Sequence, residues 1–262
     1  MSIVVITADE LRHKYFVNEL AKKIDIGGVI SETKIDYVKN ESGSAEASII
    51  SEYFKERDEK ESEYFNKEKN SKLLLSDSKV LKVKYNEASN EKVLNWVLKL
   101  EPALIVVYGA SIIKDPLISK YDGRIINLHL GLSPYYKGSG TNFWPLVNKE
   151  PEYVGATAHI LTADIDAGPI LKQVRPNIAL SDQTPHDLGC KTIISSVDMI
   201  AYCVKAFSNI KREKQGHNNR KVYRIKDFTG EAVLKMRENY NNGMIKNLLE
   251  NPHRFKTVPI IE

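Results

Sequence analysis

Six consecutive apolar residues, Ala103-Leu104-Ile105-Val106-Val107-Tyr108, constrain the fold of this chain more than any other stretch. A run without alternation has no polar face to offer water, so it reads as a strand buried on both sides in the middle of a sheet. A second apolar run at residues 3–7 is followed by a helical pattern carrying Leu11, Tyr15, Leu20 and Ala21, and then by Gly27-Gly28-Val29-Ile30. Strand, helix and strand at that spacing open a βαβ unit. The fold class expected is therefore α/β: a Rossmann-like, open, mostly parallel twisted sheet flanked by helices. The first strand-to-helix turn, Thr7-Ala8-Asp9-Glu10-Leu11, has no glycine, whereas a dinucleotide fingerprint needs glycines for close approach of the pyrophosphate. Binding of NAD or FAD at this turn is disfavoured.

The remaining elements follow from period and punctuation. Residues 45–69 carry Ile50, Tyr53, Phe54, Tyr64 and Phe65 at helical spacing among dense charges of both signs, which predicts one long solvated helix with an aromatic stripe against the body. Residues 80–83 read as a strand and 93–100 as a helix. Asp115-Pro116 has the order of an N-cap and first helical residue, and residues 124–129 form a strand with a polar end. Two further strands, 155–161 and 169–174, are joined by the turn 162–168. Thr184-Pro185-His186-Asp187 opens a helix whose apolar stripe runs from Leu188 to Val204. The division expected is a main domain over residues 1–210 and a short C-terminal extension over 211–262, helical at 231–249. That amphipathic stretch can pack on the main domain or on a second copy in a homodimer.

At 262 residues the chain can bury an extended core without staples. Cys190 and Cys203 fit neither a disulfide framework nor a metal knuckle, so no metal site is expected and a reducing, cytoplasmic location is. The N-terminal apolar run meets Asp9 too early for a signal peptide, and no run reaches membrane-spanning length. Lys and Arg exceed Asp and Glu by 38 to 34, a net +4 that suits anionic small molecules without requiring nucleic acid.

Three polar residues stand at inferred strand ends: Asn127 and His129 after Ile125-Ile126, and Asp166 in Asp164-Ile165-Asp166-Ala167-Gly168-Pro169. Ligands of open α/β sheets bind at the carboxyl ends of strands. An imidazole can take a proton from an incoming nucleophile, a carboxylate can stabilise the imidazolium, and an amide can donate to a developing oxyanion. With no accompanying serine or cysteine nucleophile, direct transfer is more natural than a covalent intermediate.

The stretch Ile126-Asn127-Leu128-His129-Leu130-Gly131-Leu132-Ser133-Pro134-Tyr135-Tyr136-Lys137-Gly138, then Phe143-Trp144, Gly155-Ala156-Thr157-Ala158-His159 and Asp164-Ile165-Asp166-Ala167-Gly168-Pro169, resembles the formyltransferases that use N10-formyltetrahydrofolate. Their Asn-x-His, Leu-x-Pro-x-x-x-Gly and Asp-x-Gly-Pro elements occur in order. The resemblance is strong over residues 100–175 and says little about 211–262. It implies catalytic roles for Asn127, His129 and Asp166, and a folate pocket on Tyr108, Gly109, Ala110, Ser111, Ile112 and Ile113 and on the turn Thr162, Ala163, Asp164 and Ile165. It also implies attack of a substrate amine on the formyl carbon and expulsion of tetrahydrofolate. One departure stands out: Leu130-Gly131 replaces the Pro-Ser usual after the histidine.

The resemblance also bears on the acceptor. Relatives acting on glycinamide ribonucleotide hold its phosphate on a glycine-rich first turn, absent here. Those acting on methionyl-tRNA carry a full C-terminal barrel, for which about 50 residues after Asn209 are too few. Formyltetrahydrofolate hydrolases carry an N-terminal regulatory domain, whereas this sequence starts at its first strand. The chain is most similar to the sugar N-formyltransferases, which act on nucleotide-linked amino sugars for lipopolysaccharide and other surface polysaccharides. Tyr136, Lys137, Gly138, Phe143 and Trp144 are like their acceptor segment. Arg12 and His13, with Arg220, Lys221 and Arg224, are candidate partners of a diphosphate. Formyl transfer to another small amine or an aminoacyl group, including methionyl-tRNA or glycinamide ribonucleotide, stays open. So does a non-catalytic folate-binding module on the same fold.

Overall fold

The apolar segments lie side by side, and both of their faces are covered. A computed structural model describes residues 2–34, 44–182, 184–216 and 219–262. In chain order the elements are β1 (Ile3–Ala8), α1 (Leu11–Ala21), β2 (Ile26–Glu32), α2 (Ala45–Tyr64), α3 (Lys67–Asn70), β3 (Val80–Val83), α4 (Glu91–Leu100), β4 (Leu104–Tyr108), α5 (Leu117–Lys120), β5 (Ile125–His129), β6 (Lys137–Gly138), α6 (Trp144–Val147), β7 (Ala156–Ile160), β8 (Ile170–Val174), α7 (Pro185–Lys205), β9 (Val222–Tyr223), α8 (Gly230–Asn241), α9 (Met244–Glu250) and α10 (His253–Lys256).

Seven strands form one sheet in the order β3-β2-β1-β4-β5-β7-β8, so the all-apolar β4 is central. β1 to β5 pair in parallel, β7 runs antiparallel to β5, and β8 antiparallel to β7. Successive residues of one strand enter different cores. Ile3 and Val5 join Phe16, Val17, Leu20, Ile193 and Val197 under α1 and α7. Val4 and Ile6 join Val93 and Val97 under α4. Burial on both faces is why these strands show no hydrophobic alternation.

A third apolar cluster joins α2 to the chain's second half. Tyr53 of α2, Tyr136, Phe143 and Trp144 pack with Val233, Met236, Met244, Ile245 and Leu248 of α8 and α9. The apolar face of the C-terminal helices therefore lies on the main body. The same segment also contributes backbone pairing. β9 pairs with β6, Glu213 exchanges both backbone hydrogen bonds with Ile170, and Ile261 accepts from the Gln173 N–H at 2.6 Å. The outer edge of β8 is thus covered, a usual protection for an edge strand.

Three helix boundaries differ from the sequence expectation. The single helix expected over 45–69 breaks after Tyr64, because Asn66 stands at φ 46° and caps α3 by accepting from the Lys69 N–H. Asparagine tolerates this left-handed conformation and caps well. The helix expected over 231–249 is two helices, since Gly243 at φ 77° ends α8. Pro116 sits at the cap of α5 rather than inside it, while the Asp115 carboxylate accepts from the Ser119 N–H at 3.0 Å. The capping box at α7 is as expected: Asp187 Oδ2 accepts from the Thr184 N–H at 2.8 Å and Thr184 Oγ1 from the Asp187 N–H at 3.3 Å. Among the described residues no helix is long and apolar enough to cross a membrane.

Candidate active site

Asn127 and His129 are two residues apart on β5 and so emerge on the same face of the sheet. The antiparallel register places His159 of β7 directly opposite Asn127. Asp166 arrives differently from what a strand-end rule suggests. Because β7 runs against β5, the turn after it begins beside Ile125, where Leu161 donates to the Ile125 carbonyl at 2.8 Å, at the amino end of β5. The turn then folds back, with Asp166 itself at φ 47°, and returns the carboxylate to the face carrying the two histidines.

The protonation pattern follows from the acceptors. His129 Nε2 lies 2.9 Å from the Tyr136 carbonyl, which can only accept, so Nε2 carries the proton. The bare Nδ1 faces Asp166 Oδ2 at 3.4 Å. His159 Nδ1 donates to the Ile160 carbonyl at 2.9 Å, leaving Nε2 to accept from Asn127 Nδ2 at 3.0 Å. That bond fixes which way the Asn127 amide faces and leaves its second N–H for a ligand. Asp166 Oδ1 stands 3.6 Å from His159 Nε2, and Oδ2 accepts from the Gly138 N–H at 2.9 Å.

Burial opposes ionisation of Asp166, but the rings of His129 and His159 when they carry a proton toward it, and the Gly138 N–H throughout, hold its carboxyl well below the ordinary range. Burial pushes His129 below the ordinary histidine value of 6.5, and Asp166 only partly opposes this. The resting pair is a neutral imidazole beside a carboxylate. If Nδ1 takes a proton, both N–H groups of the imidazolium already have acceptors, the Tyr136 carbonyl and Asp166.

The loop after His129 is pinned from behind. Thr141 Oγ1 donates to the Leu130 carbonyl and Thr157 Oγ1 to the Gly131 carbonyl at 2.7 Å. Gln173 Nε2 donates to the Ser133 carbonyl at 2.7 Å and to Thr157 Oγ1 at 3.0 Å, while its Oε1 accepts from the Ile261 N–H at 3.2 Å. A Cβ on Gly131 would stand 2.7 Å from both His129 Nε2 and Thr141 Cβ. The Leu130-Gly131 departure therefore belongs to a loop packed directly on the imidazole.

The residues assigned to a folate pocket fall into two exposed segments and their supports. Tyr108 and Ile113 are buried, Gly109, Ala110 and Ser111 are half-buried, and Ile112 is 72% exposed. Thr162, Ala163, Asp164 and Ile165 are exposed, Ile165 at 59%. Ile112 and Ile165 are thus large apolar side chains left in solvent, one in each of the two segments.

The residues expected to meet an acceptor divide. Tyr136 is buried, with its hydroxyl donating to Glu150 at 2.6 Å. Half-buried Lys137 and Gly138 form β6, and the Lys137 charge also lowers the His129 pKa. Gly138 stands at φ 92°, and a Cβ there would lie 2.0 Å from the Tyr223 carbonyl oxygen, so β6 and β9 can pair only through glycine. Phe143 and Trp144 are buried in the third cluster, Trp144 stacked 4.4 Å from Tyr223. Arg12 and His13 open α1 beside the end of β4, where a Cβ on Gly109 would stand 2.2 Å from His13 Nε2. Arg12 pairs with Glu61 and, at 2.8 Å, with Glu10, and His13 is buried 4.8 Å from the Tyr108 ring. Arg220 pairs with Glu150 at 2.6 Å, Lys221 with Asp227 at 2.8 Å, and the Arg224 N–H donates to Asp227. Sequence reasoning quoted His159 only as part of a motif. The available signal was its register opposite Asn127 in a β-hairpin whose strands and turn were both readable.

An open α/β sheet carrying an amide, two imidazoles and a carboxylate on one face brings together the groups that acid–base group transfer needs. The sequence profile of the formyl transferase family matches residues 4–197, and the chain belongs to that family. It is 32% identical over 163 residues to a methionyl-tRNA formyltransferase of Clostridium acetobutylicum, covering 57% of this chain and 51% of that protein. It is 30% identical over 97 residues to a phosphoribosylglycinamide formyltransferase of Escherichia coli, 37% of this chain and 45% of that one. The chain thus spans about half the length of these curated relatives. Among solved structures its fold is similar to a 4-N formyltransferase of Francisella tularensis, with TM-score 0.53 and 20% identity over 87% of this chain and 77% of that chain. It is also similar to a phosphoribosylglycinamide formyltransferase of Anaplasma phagocytophilum, with TM-score 0.54 and 16% identity over 86% and 98%.

Proposed function

We propose that this chain moves a formyl group from N10-formyltetrahydrofolate to the amine of a nucleotide-linked amino sugar, in the cytoplasm, for a surface polysaccharide such as lipopolysaccharide. The formyl-transfer part rests on family membership and on the arrangement around His129. In this reading the amine nitrogen forms the new bond to the formyl carbon and the second N–H of Asn127 donates to the developing oxyanion. His129 Nδ1 takes the amine proton and Asp166 stabilises the imidazolium. The bond from carbon to the donor nitrogen then breaks, and that nitrogen receives the proton His129 had taken. The loop 109–113 and the turn 162–165 hold the donor between Ile112 and Ile165.

The acceptor reading rests on one observation. β9 of the C-terminal extension pairs with β6, whose Gly138 N–H holds Asp166, so Arg220, Lys221 and Tyr223 are brought to the rim of the catalytic face. Residues 211–262 would then complete an acceptor site on the catalytic unit formed by 1–210. The first turn supports the same reading. Where a glycine-rich loop would receive a free phosphate on backbone N–H groups, this chain has Glu10 and Glu61 paired with Arg12.

The test is a panel of nucleotide-linked amino sugars, glycinamide ribonucleotide and methionyl-tRNA incubated with N10-formyltetrahydrofolate, following tetrahydrofolate release. Release with an amino sugar alone is the expected result. Release only with one of the other amines overturns the acceptor reading and keeps formyl transfer, and release with none of them overturns both.

A further inference from the structure

Glu32, the last residue of β2, is a carboxylate with no exposed surface. Its Oε2 accepts from the Ser111 backbone N–H at 2.7 Å. Its Oε1 accepts from Ser111 Oγ at 2.6 Å and from the Ala88 N–H at 3.2 Å. One side chain therefore ties three parts of the sheet's carboxyl edge together: the end of β2, the turn after β3 and the loop after β4. The Lys114 N–H adds a second tie by donating to Ser89 Oγ at 3.1 Å. Ile113 is buried beside Val83 and Ala88, while its neighbour Ile112 is 72% exposed. The loop is thus clamped at Ser111 and Ile113 and presents Ile112 between them. Among the described residues, the hydrogen bonds of the Glu32 carboxylate go to Ser111 and Ala88 and not to Asn127, His129, His159 or Asp166.

We propose that Glu32 is the positioning residue of the formyl-donor loop: its buried carboxylate sets the path of residues 109–113 and so the affinity for the folate, not the proton transfer at His129. This rests on the functional reading above, which assigns that loop to the donor. A buried carboxylate suits the task because both of its oxygens accept, so two backbone N–H donors converge on it without competition. Glutamine cannot replace it. Either amide orientation turns an NH₂ group toward a backbone N–H, Ser111 in one case and Ala88 in the other, and leaves that donor buried without an acceptor. Ser111→Ala removes one of the three bonds but keeps both backbone ones, so its effect should be smaller.

The experiment measures tetrahydrofolate binding by calorimetry, and KM for donor and amine separately, for the unsubstituted chain, Glu32→Gln and Ser111→Ala. Glu32→Gln should weaken tetrahydrofolate binding about tenfold and raise the donor KM to match, with kcat at saturating donor within about twofold. Ser111→Ala should fall between. Amide hydrogen exchange should quicken at 109–113 and not at 162–166. Unchanged tetrahydrofolate affinity in Glu32→Gln overturns the inference alone. Equal losses for donor and amine also overturn it, since they mark general loosening of the sheet edge. Failure of the unsubstituted chain to bind tetrahydrofolate overturns the functional reading, and this inference with it.

Discussion

The turn after β1 and the corner around Asp166 both gather charge out of water, and they use it in opposite ways. At the turn, Arg12 lies between Glu10 and Glu61. Burial there works against every charge. Even so, Arg12, His13 and Arg57 bring Glu10 down to about 2, and the two carboxylates hold the Arg12 pKa above its ordinary value. Each ion already has its counter-ion, so the cluster is complete as it stands. At the corner, Asp166 is ionised beside a neutral His129, and the positive charge that would balance it is missing until Nδ1 is protonated. A closed ion pair stabilises a resting structure, whereas an open one would, in the proposed reaction, stabilise the state in which His129 has taken a proton.

Four measurements would break or sharpen that contrast. The largest effect is expected from Asp166→Asn, which removes the open charge: turnover should fall by on the order of 10²-fold or more while thermal unfolding barely changes. A variant that unfolds instead would class the corner with the turn. Arg12→Ala is the mirror experiment. It leaves buried Glu61 with only Arg57, 3.7 Å away, and should lower stability by up to about 3 kcal/mol in urea titration, with donor and acceptor KM of the folded fraction little changed. A selective rise in acceptor KM would make Arg12 a ligand after all.

Next comes pH. Because burial outweighs Asp166 in setting His129, the acidic limb of kcat/KM should lie below 6.5. Removing the carboxylate takes away an influence that raises the His129 pKa, so the residual activity of Asp166→Asn should show its acidic limb at still lower pH. A limb moving upward would detach His129 from that limb. The smallest effect is expected at the rim. Arg220→Ala should raise acceptor KM about threefold to tenfold with kcat unchanged, and added salt should narrow the difference between the two proteins. An equal KM in both would remove Arg220 from acceptor binding.

The sheet was legible because its strands are short and continuous and because helices such as α4 and α7 open on a capping side chain. Strand β4 had no polar face to mislead, and Thr184 with Asp187 marked the start of α7. Asn127 and His129 were readable as a pair because strand period alone puts them on one face. What the sequence concealed depends on partners far along the chain. The pairing of Arg12 with Glu61 joins helices 49 residues apart, and without it Arg12 reads as an available cation. Glu32 contacts Ser111 across 79 residues, and in sequence it is only an acidic residue after a strand. The direction of β7 decides where the turn bearing Asp166 begins, and composition carries no sign of that direction. Helix ends were misplaced where one residue, Asn66 or Gly243, takes a left-handed conformation that a hydrophobic period does not register.

The bond from Ile261 to Gln173 also fixes an order of events in the making of this protein. Gln173 carries the Ser133 carbonyl and Thr157 behind the loop that follows His129, and it completes its own bonding through Ile261, 88 residues further along the chain. On the ribosome, His129 is joined on the order of ten seconds before Ile261 at ordinary elongation rates. Through that interval the sheet can assemble while the support behind the imidazole lacks its last strand-edge partner. The support behind the imidazole is therefore completed only once Ile261 has been made, well after the strands of the sheet itself.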